Sequence, residues 1–120
     1  MHEYHKAIEW LEKANAEAAA KNASKVTALK VTIGEASDYS PEVIKNYFDE
    51  AATGTACEGA RFDVTITRCL LKCPQCGRLF EKKLLQYECP DCGVEGNPTD
   101  SGNEVELTGI EVGTFLSTRP

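Results

Sequence analysis

Histidine and methionine are almost missing from this chain. His2 and His5 are the only histidines in 120 residues, and Met1 is the only methionine. A histidine-dependent mechanism would therefore have to operate from the first five residues. A Gly-rich phosphate loop is lacking, and so is a nucleophile motif around serine or cysteine. The expected class is not an enzyme. No apolar run approaches the roughly 18–20 residues of a membrane span. An apolar leader is missing too, because the sequence opens directly on a charged helix-like run, and the expected compartment is the cytoplasm. Positive charge is in deficit, with 13 Lys and Arg against 19 Asp and Glu and a formal net charge of −6. That balance disfavours a nucleic-acid backbone as partner.

What the chain does have is cysteine, six residues in all. Four of them stand in two matched copies, Cys73-Pro-Gln-Cys76-Gly and Cys89-Pro-Asp-Cys92-Gly. Two C-x2-C pairs at short range supply the four thiolates of a tetrahedral metal site. Pro74 and Pro90 stiffen the entry to each turn. Gly77 and Gly93 permit the positive φ that turns backbone N–H groups toward sulfur. A segment this small buries little apolar surface, so a bound metal would supply folding energy that a core cannot. Two disulfides would suit a secreted domain, and a thioredoxin-like centre would carry one C-x-x-C rather than two. Iron is the serious competitor to zinc, since four sulfurs alone do not choose between them. Structural zinc is the leading expectation. The remaining cysteines, Cys57 and Cys69, read as buried thiols in a reducing compartment.

Around this stretch the pattern is α/β. Tyr4, Ala7, Ile8, Leu11, Ala14 and Ala18 form a helical stripe over about 4–21. Residues 25–34 alternate, with Leu29, Val31 and Ile33 on one face of a strand. Ser40-Pro41 reads as an N-cap and first helical residue, followed by Val43, Ile44, Tyr47, Phe48, Ala51 and Ala52 and stopped by Thr53-Gly54. A second strand covers 60–68, with Phe62, Val64 and Ile66 on one face. Val105 and Leu107 alternate out of phase with Ile110 and Val112, so a bulge near Thr108-Gly109 is expected in a third strand. Residues 114–120 carry no pattern. The fold expected is a small mixed three-stranded sheet packed by two helices, with an inserted zinc-ribbon-like domain. Its boundaries are 1–68 plus 103–120 for the discontinuous α/β domain and 69–102 for the insert.

The insert carries four basic residues (Lys72, Arg78, Lys82, Lys83) against five acidic ones (Glu81, Glu88, Asp91, Glu95, Asp100). It lacks the basic face of a nucleic-acid reader, and Phe80 and Tyr87 read as its miniature core. At the other end, Met1-His2 offers an α-amine, an imidazole and the amide nitrogen between them in one chelating span. Such nitrogen-rich planar coordination is favoured by Ni(II) and Cu(II). Glu3 is placed to hold the imidazole as an outer partner. His5 lies near His2 if helix begins early. An ordinary surface histidine is the competing account.

Taken together, these features carry a resemblance. Met1-His2-Glu3-Tyr4, Ile33-Gly34-Glu35, Ser40-Pro41-Glu42, the two CPxCG knuckles, Gly102 to Leu107 and Ile110-Glu111-Val112 resemble the HypA family, nickel chaperones of [NiFe]-hydrogenase maturation, in order and over nearly the whole chain. The resemblance implies nickel carried at the N-terminus by Met1 and His2 with Glu3 close by. It implies structural zinc on Cys73, Cys76, Cys89 and Cys92. It implies delivery of nickel to the hydrogenase large-subunit precursor with a HypB-type GTPase, and in some members to urease maturation factors. Two places depart from the family's pattern. His5 stands where a small polar or apolar residue is more usual, making a second imidazole available. In the loop after Glu35, Asp38 is the nearest candidate for an aspartate that helps at nickel in some members. A zinc-ribbon adaptor without nickel delivery is the alternative reading.

Overall fold

The computed structural model describes residues 2–83 and 85–113. Met1 and the patternless 114–120 stretch lie outside the described residues. The order is α1 (His2–Ala20), β1 (Lys25–Gly34), α2 (Pro41–Ala52), β2 (Arg61–Thr67), β3 (Leu70–Lys72), β4 (Leu79–Glu81), β5 (Asn97–Pro98) and β6 (Val105–Gly113). The strands make two three-stranded sheets, ordered β2-β1-β6 and β4-β3-β5.

The first sheet is mixed, as expected. The Val26 amide donates to Ala56 O and the Glu35 amide to Thr67 O, so β1 and β2 run the same way. A parallel pair needs a crossover, and α2 is that crossover. Beside β1, Thr27 meets Glu111 and Lys30 meets Thr108, while the Gly34 amide donates to Glu104 O. Those pairings run in opposite directions, so β6 is antiparallel. The bulge expected near Thr108-Gly109 does not appear as a change of register, because these three pairings keep one offset; what shifts is the burial along β6, at Gly109-Ile110. A second phase change sits opposite it in β1, where Ala28 and Leu29 are both buried. The two breaks face each other, so the offset between the strands is the same on either side.

The helices bury one stripe each against this sheet. Ser40 caps α2 through its Oγ, which accepts from the Val43 amide at 3.2 Å, and Pro41 follows as the first helical residue. Trp10 and Phe48 both meet Phe62 of β2, at ring-centroid distances of 6.2 and 5.0 Å. The core includes Ala7, Trp10, Leu11, Ala14, Ala18, Leu29, Val31, Ile33, Ile44 and Phe48. Here the sequence expectation needs correction. α1 starts two residues earlier than expected, and its buried stripe runs through Trp10, leaving Tyr4 exposed and Ile8 half-buried. Val43, Val64 and Ile66 are exposed as well.

The chain divides into two compact units. One comprises 1–32, 39–65 and 106–120, and the other 33–38 and 66–105. The second unit has its own small core of Leu71, Cys73, Phe80 and Cys89 with Cys92 packed against it. Phe80 belongs to that core, but Tyr87 does not: it is 37% exposed, and its ring lies beneath the Lys82 ammonium at 5.5 Å. A long amphipathic side chain covers the ring where a core would have to be larger to bury it. Cys57 is buried as expected, whereas Cys69 is only half-buried.

Candidate metal centres

Local sequence builds the four-cysteine centre twice over. In the first copy the Cys73 amide donates to Arg78 O and the Gly77 amide to Cys73 O; in the second, the Cys89 amide donates to Val94 O and the Gly93 amide to Cys89 O, all at 2.8–2.9 Å. Each loop thus closes on itself around its first cysteine. Gly77 and Gly93 have φ of +79° and +71°. Nothing crowds a Cβ at either position, so backbone conformation, not space, is what requires glycine. β3 carries Cys73 out of the hairpin with β4, where Leu71 lies opposite Phe80. An exposed ion pair, Arg78 Nη1 to Asp91 Oδ2 at 2.8 Å, joins one knuckle to the other.

Cys73, Cys76, Cys89 and Cys92 place their sulfurs within 4.8 Å of one another, with Cys76 and Cys89 Sγ 3.7 Å apart. A metal–sulfur bond of about 2.3 Å in a tetrahedron requires sulfur separations of about 3.8 Å. The residues fit a tetrahedral M²⁺ with four thiolates. Hydrogen bonding supports negative charge unevenly: the Cys76 N–H, 3.4 Å from Cys73 Sγ, lowers the Cys73 thiol to about 7. Hydrogen bonding to the Cys76 thiol pushes Cys92 up to about 12. Four thiols packed together resist ionising together unless a cation joins them. A bound dication would hold all four as thiolates and leave no open coordination position.

The N-terminal region is built differently. α1 begins at His2, so its first amides have no partner inside the helix. Glu3 Oε2 accepts from the Ser40 amide at 3.1 Å, tying the first turn of α1 to the start of α2. That N–H, followed by the amide of Glu3 itself, lowers the Glu3 carboxyl below its ordinary value. The His2 ring is exposed and faces Tyr39 at 5.6 Å, inclined at 56°. His5 follows one helical turn later, its ring 5.8 Å from Tyr4, and Tyr4 in turn meets Tyr47 edge-on at 5.5 Å. Asp38 sits exposed in the loop immediately before Tyr39, at φ +66°. Sequence reasoning missed Tyr39 and the Ser40 amide. The only advance signal was their position just ahead of Pro41.

A third arrangement lies inside the second unit. Glu35 Oε1 accepts from the Cys69 amide at 2.6 Å and Oε2 from Arg68 at 3.4 Å. Glu104 Oε1 accepts from Thr67 Oγ1 at 2.8 Å and the Gly102 amide at 3.0 Å. These carboxylates fasten the two places where the chain enters and leaves the cysteine-bearing segment. Both carboxyls are lowered, Glu35 chiefly by the Cys69 N–H and Glu104 chiefly by its own.

Residues 1–112 match the family described as hydrogenase/urease nickel incorporation, metallochaperone, HypA. The chain belongs to the HypA family. A HypA hydrogenase maturation factor of Caldanaerobacter subterraneus subsp. tengcongensis is 39% identical over 97 residues, covering 80% of this chain and 85% of the relative. One from Picosynechococcus sp. is 38% identical over 112 residues, covering 93% and 99%. A solved solution structure of a HypA protein superposes with TM-score 0.66 at 25% identity, covering 93% of this chain and 96% of that one. The solution structure of the Ni metallochaperone HypA from Helicobacter pylori shares the fold, with TM-score 0.59 at 23% identity. This HypA chain is therefore a hydrogenase-maturation nickel metallochaperone by family, not an enzyme, and it carries a four-cysteine metal-binding cluster. No helix among its described residues is long and apolar enough to cross a membrane.

Proposed function

We propose that the chain carries Ni(II) at its N-terminus and delivers it, in the cytoplasm, to the hydrogenase large-subunit precursor with a HypB-type GTPase. Urease maturation factors are a second client set, supported by the match to a family of hydrogenase and urease nickel incorporation. Nickel is cargo here. The α-amine of Met1, the His2 amide nitrogen and the His2 imidazole hold it as three donors in a plane, with Glu3 beside them and His5 and Asp38 as further candidates. The observation carrying this reading is the first turn of α1: His2 exposed at the helix start, with Glu3 anchored on Ser40. Helix-start amides are not committed to the helical ladder, so backbone nitrogen is available for planar coordination.

Structural zinc on Cys73, Cys76, Cys89 and Cys92 is the second half of the proposal, with 69–102 as the zinc-binding insert and 1–68 plus 103–120 as the nickel domain. Zinc on four thiolates is coordinatively closed and meant to stay; nickel on an exposed helix turn is open to a partner that removes its ligands one by one. Any communication between the two sites is predicted to run through the chain crossings near Cys69 and Gly102. Identical nickel affinity with and without an intact cysteine site would count against that link.

The test is a Ni(II) titration of zinc-loaded protein with an unextended N-terminus, followed by visible absorption. His2→Ala and a chain with one added residue before Met1 run alongside. A stoichiometric planar signal lost in both variants is expected. Equal binding in all three moves the site elsewhere, and no specific binding in any leaves a zinc-clipped interaction module.

A further inference from the structure

Cys57 is buried with its thiol on Asn15 Oδ1, and Leu85 is an exposed leucine at a hairpin tip with nothing to identify a partner. The beginning of α2 is different, because it meets the proposed nickel ligand through two independent contacts.

One contact is polar: the Ser40 amide on Glu3 Oε2 at 3.1 Å. The other is aromatic: the Tyr39 ring 5.6 Å from the His2 ring. Tyr39 and Ser40 are consecutive, and so are His2 and Glu3. Two adjacent residues of one element therefore grip two adjacent residues of the other. Ser40 is itself fixed as the cap of α2 through Val43, and the Tyr4–Tyr47 contact holds the next turn. The geometry assigns Tyr39 as a positioning residue for His2, on the reading that His2 binds nickel.

A histidine in the first turn of a helix has no preceding turn to confine its side chain, so its ring samples several rotamers. Planar chelation needs one of them, with a ring nitrogen turned toward the backbone nitrogens. Each side chain ordered on binding costs entropy, and a neighbour that orders it beforehand removes part of that cost. An aromatic ring in tilted contact at 5.6 Å limits where the imidazole goes. Glu3 and Ser40 fix the backbone on which that side chain stands. The nickel site then has two walls, one from α1 and one from Tyr39 and Ser40. Tyr39 touches no metal in this account. It acts through His2.

The consequence is kinetic. Removing the ring leaves the donor set intact but lets the imidazole swing away more often, so nickel leaves faster. Loss of one aromatic contact corresponds to roughly two- to tenfold. Tyr39→Phe keeps the ring that meets His2 and removes only the hydroxyl, so it isolates the ring's share of the effect.

The experiment uses the full zinc-loaded chain with an unextended N-terminus and Ni(II) alone as probe. Visible absorption follows loading, and challenge with excess chelator gives the release rate for parent, Tyr39→Phe and Tyr39→Ala. The expected result is an unchanged absorption band in all three, parental release for Tyr39→Phe, and roughly two- to tenfold faster release for Tyr39→Ala. Planar Ni(II) is diamagnetic, so the parent also reports by NMR: Tyr39 ring and Ser40 amide resonances should shift on loading, which tests the contact without any variant. Parental release from Tyr39→Ala, or no shift at Tyr39 and Ser40 on loading, overturns the assignment while the nickel site stands. No nickel band in the parent sinks the underlying reading, and the assignment with it.

Discussion

The two proposed metal sites solve opposite problems. The cysteine site is made of two copies of one short motif, each closing its own hydrogen bonds before the copies meet. Its four donors are all side chains, and three of them, Cys73, Cys89 and Cys92, are buried or half-buried. The N-terminal site draws on backbone as well as side chain. It lies on one exposed helical turn and depends on residues 37 positions away for its shape. A resident metal calls for redundancy and closure, while cargo calls for access and a readily altered support.

The comparison breaks most sharply at a buried cysteine. Structural zinc contributes on the order of 10 kcal/mol in zinc-finger peptides. Cys89→Ser should therefore abolish zinc retention and amide-exchange protection in the second unit, measured by metal analysis and NMR. The helical circular dichroism of α1 and α2 should persist. His2→Ala is next: nickel affinity should fall by more than the roughly 10–100-fold typical of an outer partner, with zinc content unchanged. Gly93→Ala forces a side chain into φ +71°. A left-handed residue costs about 1–2 kcal/mol, or roughly 5- to 30-fold in zinc affinity by competition with a chelator; nickel binding should not move.

A fourth outcome concerns acid. Glu35 is held below its ordinary value near 4.5, chiefly by the Cys69 amide. A depressed carboxyl contributes stability above its unfolded value and loses it as pH falls through its folded value. Exchange protection of the Cys69 amide, corrected for intrinsic rate, should fade as pH drops below about 4.5. Glu35→Gln should remove that pH dependence. Smallest of all, Arg78→Ala should leave zinc affinity unchanged, because its pair with Asp91 is exposed and such pairs contribute little.

How much of this was legible depended on range. The knuckles were readable because every interaction that forms them falls within six residues. The phase change in β6 was readable because polar residues mark its faces. The matching change in β1 was not, since Val26, Ala28 and Leu29 are apolar on both sides of the break. Trp10 was left out of the α1 stripe because the line was drawn through Tyr4, which the structure leaves outside. Of the two aromatic residues expected in the insert's core, only Phe80 is buried, because that core is too small to cover Tyr87 as well. The Glu3–Ser40 bond had no local signature at all. Its two ends come together only once α1 and α2 have packed, so no spacing rule reaches it.

The start of α1 at His2 has one further implication. A donor on a loose tail of n residues could sweep up to about 3.3–3.6 Å for each of them. His2 stands instead on the first residue of a helix whose opening turn is pinned to the next helix. Cargo held there has almost no reach of its own. A recipient would have to bring its pocket up to the face formed by α1 and α2, and the handover becomes a matter of docking shape rather than of a swinging arm.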